Sequence, residues 1–146
     1  MSWEDHDWKQ AGSENVHPTA SPKSADRPGN KTAIVTGAER GIGAGLGEAF
    51  LSGGYNVVGT SCHVTQALTA APNLVLIDGD IGKQETSVNA IQAATERFGG
   101  VDVLVNNAGI LRNKPFTDFT TDDFNAFVST NLLGFVYMTQ LAVRRC

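Results

Sequence analysis

The stretch TGAERGIG at residues 36–43 decides how this chain folds. The apolar run TAIV at residues 32–35 precedes it, and a glycine-rich segment with helical spacing of its apolar residues follows it as far as Leu51. This order predicts a strand, a tight glycine turn and the start of a helix. Free backbone N–H groups and the positive end of the helix dipole would then point to one place, which suits an anionic phosphate. A glycine turn without a ligand is the alternative that this stretch alone leaves open.

Length, composition and charge restrict the possible classes of protein. The 146 residues correspond to one domain, and the formal net charge of −4 offers no positive surface to nucleic acid or to an anionic membrane. The two cysteines, Cys62 and Cys146, cannot form a disulfide framework, fit a reducing compartment and have no metal-ligand spacing. No continuous apolar run approaches the roughly 18 residues of a membrane span, and the N-terminus lacks the apolar core of a signal peptide. We therefore expect a cytoplasmic protein without metal, nucleic-acid or membrane partners.

The chain divides into two parts by composition. Residues 1–30 are rich in Ser, Pro and charged side chains and show no apolar periodicity. Such a segment buries too little apolar surface to offset the entropy lost on ordering it, so we predict a disordered leader. Residues 31–146 carry the apolar periodicity of one folded domain.

In the second part, apolar runs with strand character alternate with segments of helical spacing. The strands are predicted at Thr32–Thr36, Asn56–Thr60, Leu74–Ile77 and Val101–Val105, and the helices at about residues 42–52, 66–71, 84–98 and from 121 onward. This alternation predicts a doubly wound parallel α/β sheet. Periodicity also predicts a core-facing side for two of the helices: Ile42, Leu46, Ala49 and Phe50 in the first, and Val88, Ile91, Thr95 and Phe98 in the helix at 84–98. The third strand, a continuous apolar run, is predicted to be covered on both faces.

The residue that follows the second strand bears on which dinucleotide such a loop would bind. An acid about 20 residues after the glycine loop usually accepts a hydrogen bond from the ribose 2′-hydroxyl of NAD. Ser61 stands at that position, and Cys62 and His63 follow it without an acid. Arg40, within the loop, could pair with the 2′-phosphate of NADP. These residues favour NADP(H) over NAD(H), with a solvated surface arginine as the alternative for Arg40.

Polar residues also stand beyond the fourth strand, at the edge of a parallel sheet where ligands bind. Asn106 and Asn107 directly follow Val105. The sequence of residues 120–123 has the pattern of a capping box, which predicts the start of a helix there. Asn131 lies on the apolar stripe of that helix, where a buried amide needs hydrogen-bond partners. A structural asparagine bonded to the backbone is the simplest interpretation of Asn131.

Four motifs in order resemble the N-terminal half of the classical short-chain dehydrogenase/reductase (SDR) family, from about residue 31 to 145. They are the TGAERGIG loop, Asp80-Ile81, the sequence NNAG at residues 106–109, and Thr130-Asn131-Leu132 with Gly134. The resemblance implies a Rossmann-type fold, truncated here after about four strands. It implies an oxidoreductase that transfers hydride between a nicotinamide and a carbonyl or alcohol, and a homo-oligomer when the enzyme is complete.

The resemblance also assigns roles to individual residues. Asp80 and Ile81 would meet the adenine, residues 107–109 would meet the nicotinamide-side ribose, and Asn106 would brace the end of the sheet. Asn131 matches the asparagine of the family's catalytic tetrad, which positions a water in the proton relay. The cofactor-binding residues that the resemblance and the loop chemistry together imply are Gly37, Arg40, Gly41, Ile42, Gly43, Ser61, Asp80, Ile81, Asn107, Ala108 and Gly109.

The sequence departs from the family in its remaining catalytic residues. The Ser and the Tyr-x-x-x-Lys of the family lie beyond the Asn-bearing helix, and here neither Tyr55 nor Tyr137 is followed by Lys four residues on. We therefore expect an N-terminal fragment that keeps the dinucleotide-binding half and is inactive by itself. A non-catalytic binding or interaction module is the alternative. The last strand and helix would expose apolar surface and a free sheet edge, which predicts association.

Overall fold

The computed structural model describes residues 29–62 and 71–145. Apart from Gly29 and Asn30, the predicted leader lies outside the described residues, and so does the short helix predicted at 66–71, apart from Ala71. The leader and this short helix therefore stay predictions.

In the described part of the chain, four parallel strands form one sheet: β1 (Thr32–Thr36), β2 (Asn56–Ser61), β3 (Leu74–Asp78) and β4 (Val103–Val105). Their order across the sheet is β3-β2-β1-β4, so β1 and β2 are central. Ile34 of β1 is in register with Val58 on one side and with Leu104 on the other. Since all strands run in the same direction, their carboxyl ends meet at one edge. The predicted strands, within two residues, and the parallel α/β class are confirmed.

The helices begin and end close to where periodicity places them. α1 spans Gly41–Ser52 and α2 spans Gln84–Phe98. After a 3₁₀ turn at Phe116–Asp118, one continuous helical stretch comprises α3 (Thr121–Phe127), a π-helical turn (Val128–Leu133) and α4 (Gly134–Val143). The predicted capping box is present at the start of α3: the Thr120 hydroxyl accepts a hydrogen bond from the Asp123 N–H, and the Asp123 carboxylate accepts one from the Thr120 N–H.

Helices cover both faces of the sheet. On one face Ile34 belongs to a buried cluster with Ala90 of α2 and Met138 of α4. On the other face the next residue, Val35, packs in a cluster that includes Leu46 of α1. Successive residues of a strand point to opposite faces, so a run of apolar residues in β1 serves both layers. This is the doubly wound arrangement that the sequence predicts.

Some predicted core residues lie on the surface instead. Ile42 at the start of α1 is 76% exposed and Val88 of α2 is 43% exposed, and Ala49 is also exposed. The prediction was wrong because small residues, which carry little hydrophobic signal, make the closest approach to the sheet. α1 buries Gly43 and Gly47. The buried residues of α2 are Thr86, Ser87, Ala90, Ile91 and Ala94.

β3 is an edge strand of the described sheet, yet its side chains pack on both faces as predicted: Val75 and Ile77 lie against one core cluster, and Leu74 and Leu76 pack in the other. It pairs only with β2 among the described strands, and its residues Val75, Leu76 and Ile77 are half-buried. A continuous apolar run does not distinguish an edge strand from a central one, because both can carry apolar side chains on the two faces.

The last helical stretch exposes an apolar stripe, as the sequence predicts. Its exposed large apolar residues are Phe124, Val128, Leu132, Phe135 and Val143. β4 is the second edge of the described sheet, and association through these surfaces stays a prediction. Among the described residues, Thr121–Val143 is also the one helix long and apolar enough to cross a membrane, with 23 residues and a mean hydropathy of 1.3. One such helix is weak evidence for a membrane, because core helices of soluble proteins pass the same test of length and composition.

Candidate functional site

A cleft of about 560 Å³ opens at the carboxyl edge of the sheet. Its walls come from the glycine loop, the end of β2, the segment after β3 and the loop after β4. Every expected cofactor residue except Asp80 lines it: Gly37, Arg40, Gly41, Ile42, Gly43, Ser61, Ile81, Asn107, Ala108 and Gly109. The fold thus brings four separate segments together where ligands bind in open parallel sheets.

The glycine loop turns sharply from β1 into α1. Gly37 has a φ of 66° and Gly41 a φ of 55°, both in the left-handed region that glycine adopts without strain. Gly43 is required for a different reason, since a Cβ there would lie 2.1 Å from the Gly37 carbonyl oxygen and 2.6 Å from Nδ2 of Asn107. Among the described residues no side chain caps α1 and no acid lies in its first turn, which leaves the N-terminal N–H groups for an anionic ligand.

Asn107 holds this loop in place. Its side-chain amide donates hydrogen bonds to the carbonyl oxygens of Thr36 at 3.0 Å and Gly37 at 3.2 Å, and its backbone N–H donates to the Thr36 hydroxyl at 3.0 Å. Asn106, which the resemblance expects to brace the end of the sheet, donates a hydrogen bond to the Thr139 hydroxyl of α4 at 3.0 Å. Adjacent residues of an extended segment point to opposite sides, so Asn107 reaches the loop while Asn106 faces the helix. Asn107 therefore braces the glycine loop, and the bracing of the sheet end by Asn106 stays a prediction.

Asp80 organises the turn that leads into α2. Its Oδ1 accepts a hydrogen bond from the Gly82 N–H at 2.9 Å, and its carbonyl oxygen accepts one from the Thr86 hydroxyl at 2.7 Å. The neighbours Gly79 and Ile81 line the cleft, whereas Asp80 does not. A contact of Asp80 with adenine stays a prediction.

The sequence analysis missed Glu39, the residue before Arg40 in the glycine loop. Its carboxylate accepts a hydrogen bond from the Ser61 hydroxyl at the end of β2, and its Oε1 lies 3.6 Å from Nε of Arg40. The Glu39 side chain is 25% exposed, whereas that of Arg40 is 89% exposed. An acid therefore stands at the end of β2 after all, but it comes from the loop. The sequence does show an acid within TGAERGIG, but an acid that contacts the ribose is expected after β2 and not in the loop.

Negative charge surrounds this end of the cleft. Burial raises the pKa of the Cys62 thiol, and the carboxylates of Asp80, Glu39 and Asp78 raise it further. The thiol is therefore protonated at neutral pH, and its surroundings repel an added anion. The other lining residues that the sequence analysis did not single out are Thr60, Cys62, Gly79, Ile110 and Thr130.

Asn131 lies in the π-helical turn, and its amide is bonded to the backbone of one residue. Its Oδ1 accepts a hydrogen bond from the Ile110 N–H at 2.8 Å, and its Nδ2 donates one to the Ile110 carbonyl at 3.0 Å. The interpretation as a backbone-bonded asparagine is confirmed. Asn131 also lines a smaller cavity of about 100 Å³ together with Thr36 and Asn106. A role in positioning a water stays a prediction.

The site offers a defined set of chemical groups. The N-terminus of α1 presents backbone N–H donors, Arg40 presents a cation, and Glu39 presents a hydrogen-bond acceptor. Within residues 29–62 and 71–145 there is no cluster of three or more His, Cys, Asp or Glu side chains that could hold a metal ion. The arrangement suits a ligand that carries both phosphate and hydroxyl groups.

Comparison with known proteins gives a consistent result. The family model for short chain dehydrogenase matches residues 31–145. The chain is 34% identical over 113 residues to acetoacetyl-CoA reductase of Shinella zoogloeoides, in a match that covers 75% of this chain and 47% of that protein. The chain spans about half the length of the curated relatives it matches.

Solved structures agree with the sequence relatives. A crystal structure of a short-chain dehydrogenase/reductase (glucose/ribitol dehydrogenase) from Brucella melitensis matches with a TM-score of 0.74 and 31% identity, covering 80% of this chain and 50% of that one. A tyrosine-to-phenylalanine variant of ElxO with NADPH bound matches with a TM-score of 0.70 and 31% identity, covering 79% of this chain and 50% of that one.

Proposed function

The chain belongs to the short-chain dehydrogenase family, whose cofactor is NAD(P), and we propose that its cleft binds NADP(H) in preference to NAD(H). We propose further that the chain is the dinucleotide-binding part of an oxidoreductase that interconverts a carbonyl and an alcohol by hydride transfer. Because the chain spans about half the length of its curated relatives, this activity is proposed for the whole oxidoreductase.

The observation that carries the proposal is the contact of Gly43 with the backbone of the glycine loop. The space that a Cβ would need at this position is filled by the Gly37 carbonyl and the Asn107 amide. The loop is therefore folded tightly over the N-terminus of α1, beside a cleft of about 560 Å³. A pyrophosphate group fits such a cradle, because backbone N–H groups and the helix dipole both favour negative charge there.

The preference for NADP(H) is supported by two residues. Arg40 lines the cleft with an exposed guanidinium, and Ser61 at the end of β2 is uncharged, although the Glu39 carboxylate from the loop lies beside it. Guanidinium groups bind phosphate strongly through paired hydrogen bonds. The NADPH bound to the ElxO variant belongs to that protein, and it makes the same cofactor a reasonable first probe here.

The chain's own residues would bind and orient the cofactor. When bound, the nicotinamide supplies or accepts the hydride. Asn107 would keep the loop rigid, and Asn131 would position a water for the proton relay. Reduction of a carbonyl also needs a proton donor for the developing alkoxide, which the family places in Tyr-x-x-x-Lys and which neither Tyr55 nor Tyr137 provides. We therefore propose that this chain by itself binds the dinucleotide without turnover.

The proposal extends to location and assembly. Two cysteines are too few for a disulfide framework and fit a reducing compartment, so we propose a cytoplasmic location. The apolar stripe on α3 and α4 supports association of the family's homo-oligomeric kind for the whole oxidoreductase.

Arg40→Ala is expected to weaken NADPH binding by about tenfold and to leave NADH binding nearly unchanged. The effect is moderate because Arg40 is largely exposed and solvent screens its charge. Calorimetric titration of the wild-type chain and the variant with each dinucleotide measures the two affinities. Arg97→Ala removes an exposed arginine of α2 outside the cleft and is the matched control.

Equal weakening for NADPH and NADH in Arg40→Ala would contradict the phosphate role. The same would follow if Arg97→Ala lowered the NADPH affinity as much as Arg40→Ala does, since the effect would then come from overall charge.

A further inference from the structure

We propose that Glu39 limits the preference of this site for the 2′-phosphorylated dinucleotide and is its second specificity-determining residue, beside Arg40. The inference rests on the proposed function, because it concerns the cofactor that the same cleft would bind. Glu39 takes the place of the acid that usually follows the second strand, but it reaches that place from the glycine loop.

The position of the Glu39 carboxylate carries the argument. One oxygen accepts a hydrogen bond from the Ser61 hydroxyl, which fixes the carboxylate at the carboxyl end of β2. Ser61 is itself held in the sheet, since its carbonyl oxygen accepts a hydrogen bond from the Gly79 N–H at 2.8 Å. The Glu39 side chain is 25% exposed and lines the cleft, so a ligand in the cleft would meet it.

An ionised carboxylate can accept hydrogen bonds but cannot donate them. At the end of the second strand such a group accepts from the ribose 2′-hydroxyl of NAD, and it repels a phosphate attached to the same oxygen. Ser61 has no charge, so the residues after β2 do not indicate that the site discriminates between the 2′-hydroxyl of NAD and the 2′-phosphate of NADP. The Glu39 side chain reaches from the glycine loop to the end of β2 and places a carboxylate there.

Glu39 also acts on Arg40, the cation expected to attract the phosphate. Their side chains are 3.6 Å apart, from Oε1 of Glu39 to Nε of Arg40, so the carboxylate offsets part of the guanidinium charge. Asp78 and Asp80 add negative charge around the neighbouring Cys62. The phosphate would therefore meet one exposed cation and a nearby acid that opposes it.

Glu39→Gln tests whether the charge of the Glu39 side chain, rather than its shape, lowers the affinity for the 2′-phosphate. The amide keeps the size of the side chain and can still bond to the Ser61 hydroxyl, but it no longer repels phosphate or offsets Arg40. We expect NADPH to bind about tenfold more tightly relative to NADH than in the wild-type chain, the size of effect of one unit charge close to a phosphate. Calorimetric titration with NADPH and with NADH gives the ratio of the two dissociation constants.

Two further variants make the result specific. Glu48→Gln removes the same charge from the exposed face of α1, outside the cleft, and we expect it to leave the ratio unchanged because solvent screens distant surface charges. Glu39→Asp keeps the charge on a side chain one methylene shorter, which withdraws the carboxylate from Ser61. We expect this variant to shift the ratio toward NADPH by less than Glu39→Gln does.

The outcomes distinguish this inference from the proposed function. If the folded wild-type chain binds neither dinucleotide, the proposed function fails. If it binds both but Glu39→Gln and Glu39→Asp keep the wild-type ratio, the proposed function stands and the role of Glu39 is overturned. A shift of equal size in Glu48→Gln would also overturn it, since net charge would then explain the effect.

Discussion

Gly43→Ala is expected to destabilise the chain by about 3 kcal/mol or more and to abolish dinucleotide binding. The added methyl carbon would lie 2.1 Å from the Gly37 carbonyl oxygen, a backbone atom that cannot rotate away. It would also lie 2.6 Å from Nδ2 of Asn107, the group that braces the loop. Relief of these clashes requires the loop to move away from α1 and to lose the hydrogen bond from Asn107 to Gly37.

Gly45→Ala in the same helix is the matched control. Apart from its own helical turn, no atom of the described residues lies within 4 Å of the position that its Cβ would take. Alanine is the better helix former, so this variant should be more stable than the wild-type chain by up to about 1 kcal/mol and should bind dinucleotide normally. Urea unfolding and NADPH titration measure both properties. If the two variants unfold and bind alike, the cradle does not depend on close packing at Gly43.

Asp123→Asn is expected to cause the second large loss of stability. The Asp123 carboxylate is buried at the start of α3, where the side chains of Lys114 and Arg112 and the Thr120 N–H all bond to it. Hydrogen bonds hold the pKa of Asp123 well below its usual range. The bond from Lys114 has the largest effect, the bond from the Thr120 N–H comes next, and the Thr120 hydroxyl and Arg112 contribute less. An asparagine amide carries no charge to balance the two cations, so the loop between β4 and α3 loses its anchor.

The pH dependence of this effect has a definite sign. Because the pKa is lower in the folded chain than in the unfolded chain, the stabilisation is complete above about pH 4 and decreases as the pH falls further. The melting temperature of Asp123→Asn should therefore lie well below that of the wild-type chain at pH 7, and the gap should narrow below pH 4. Asp122→Asn changes the exposed neighbour in the same helical turn and should have a small effect. Equal melting temperatures for the two variants at pH 7 would contradict the anchor.

Sequence patterns located the backbone elements well. The apolar runs predicted β1 and β2, and the capping box predicted the start of α3. Such features can be predicted because they depend on residues that are close together in the sequence. The motifs after β1, β3 and β4 also placed most of the cleft, since parallel strands deliver their carboxyl ends to one edge.

Other features could not be predicted because they depend on close packing between distant segments. Periodicity placed Ile42 and Val88 in the core, whereas glycine and alanine make the closest helix–sheet contacts and leave both residues exposed. The hydrogen bond between Glu39 and Ser61 joins the loop to β2 across 22 positions. The bond from Asn107 to the glycine loop depends on which side of the extended segment its side chain takes.

The central claim is that the glycine loop and the segment after β4 form a dinucleotide site. Hydrogen–deuterium exchange of the chain with and without saturating NADPH tests this claim most directly, because it reports where the ligand binds. We expect slower amide exchange at residues 37–43 and 107–110, and unchanged exchange at Gln92 and Glu96 on the exposed face of α2. Unchanged exchange of the loop in a folded chain, or protection confined to another surface, would contradict the account.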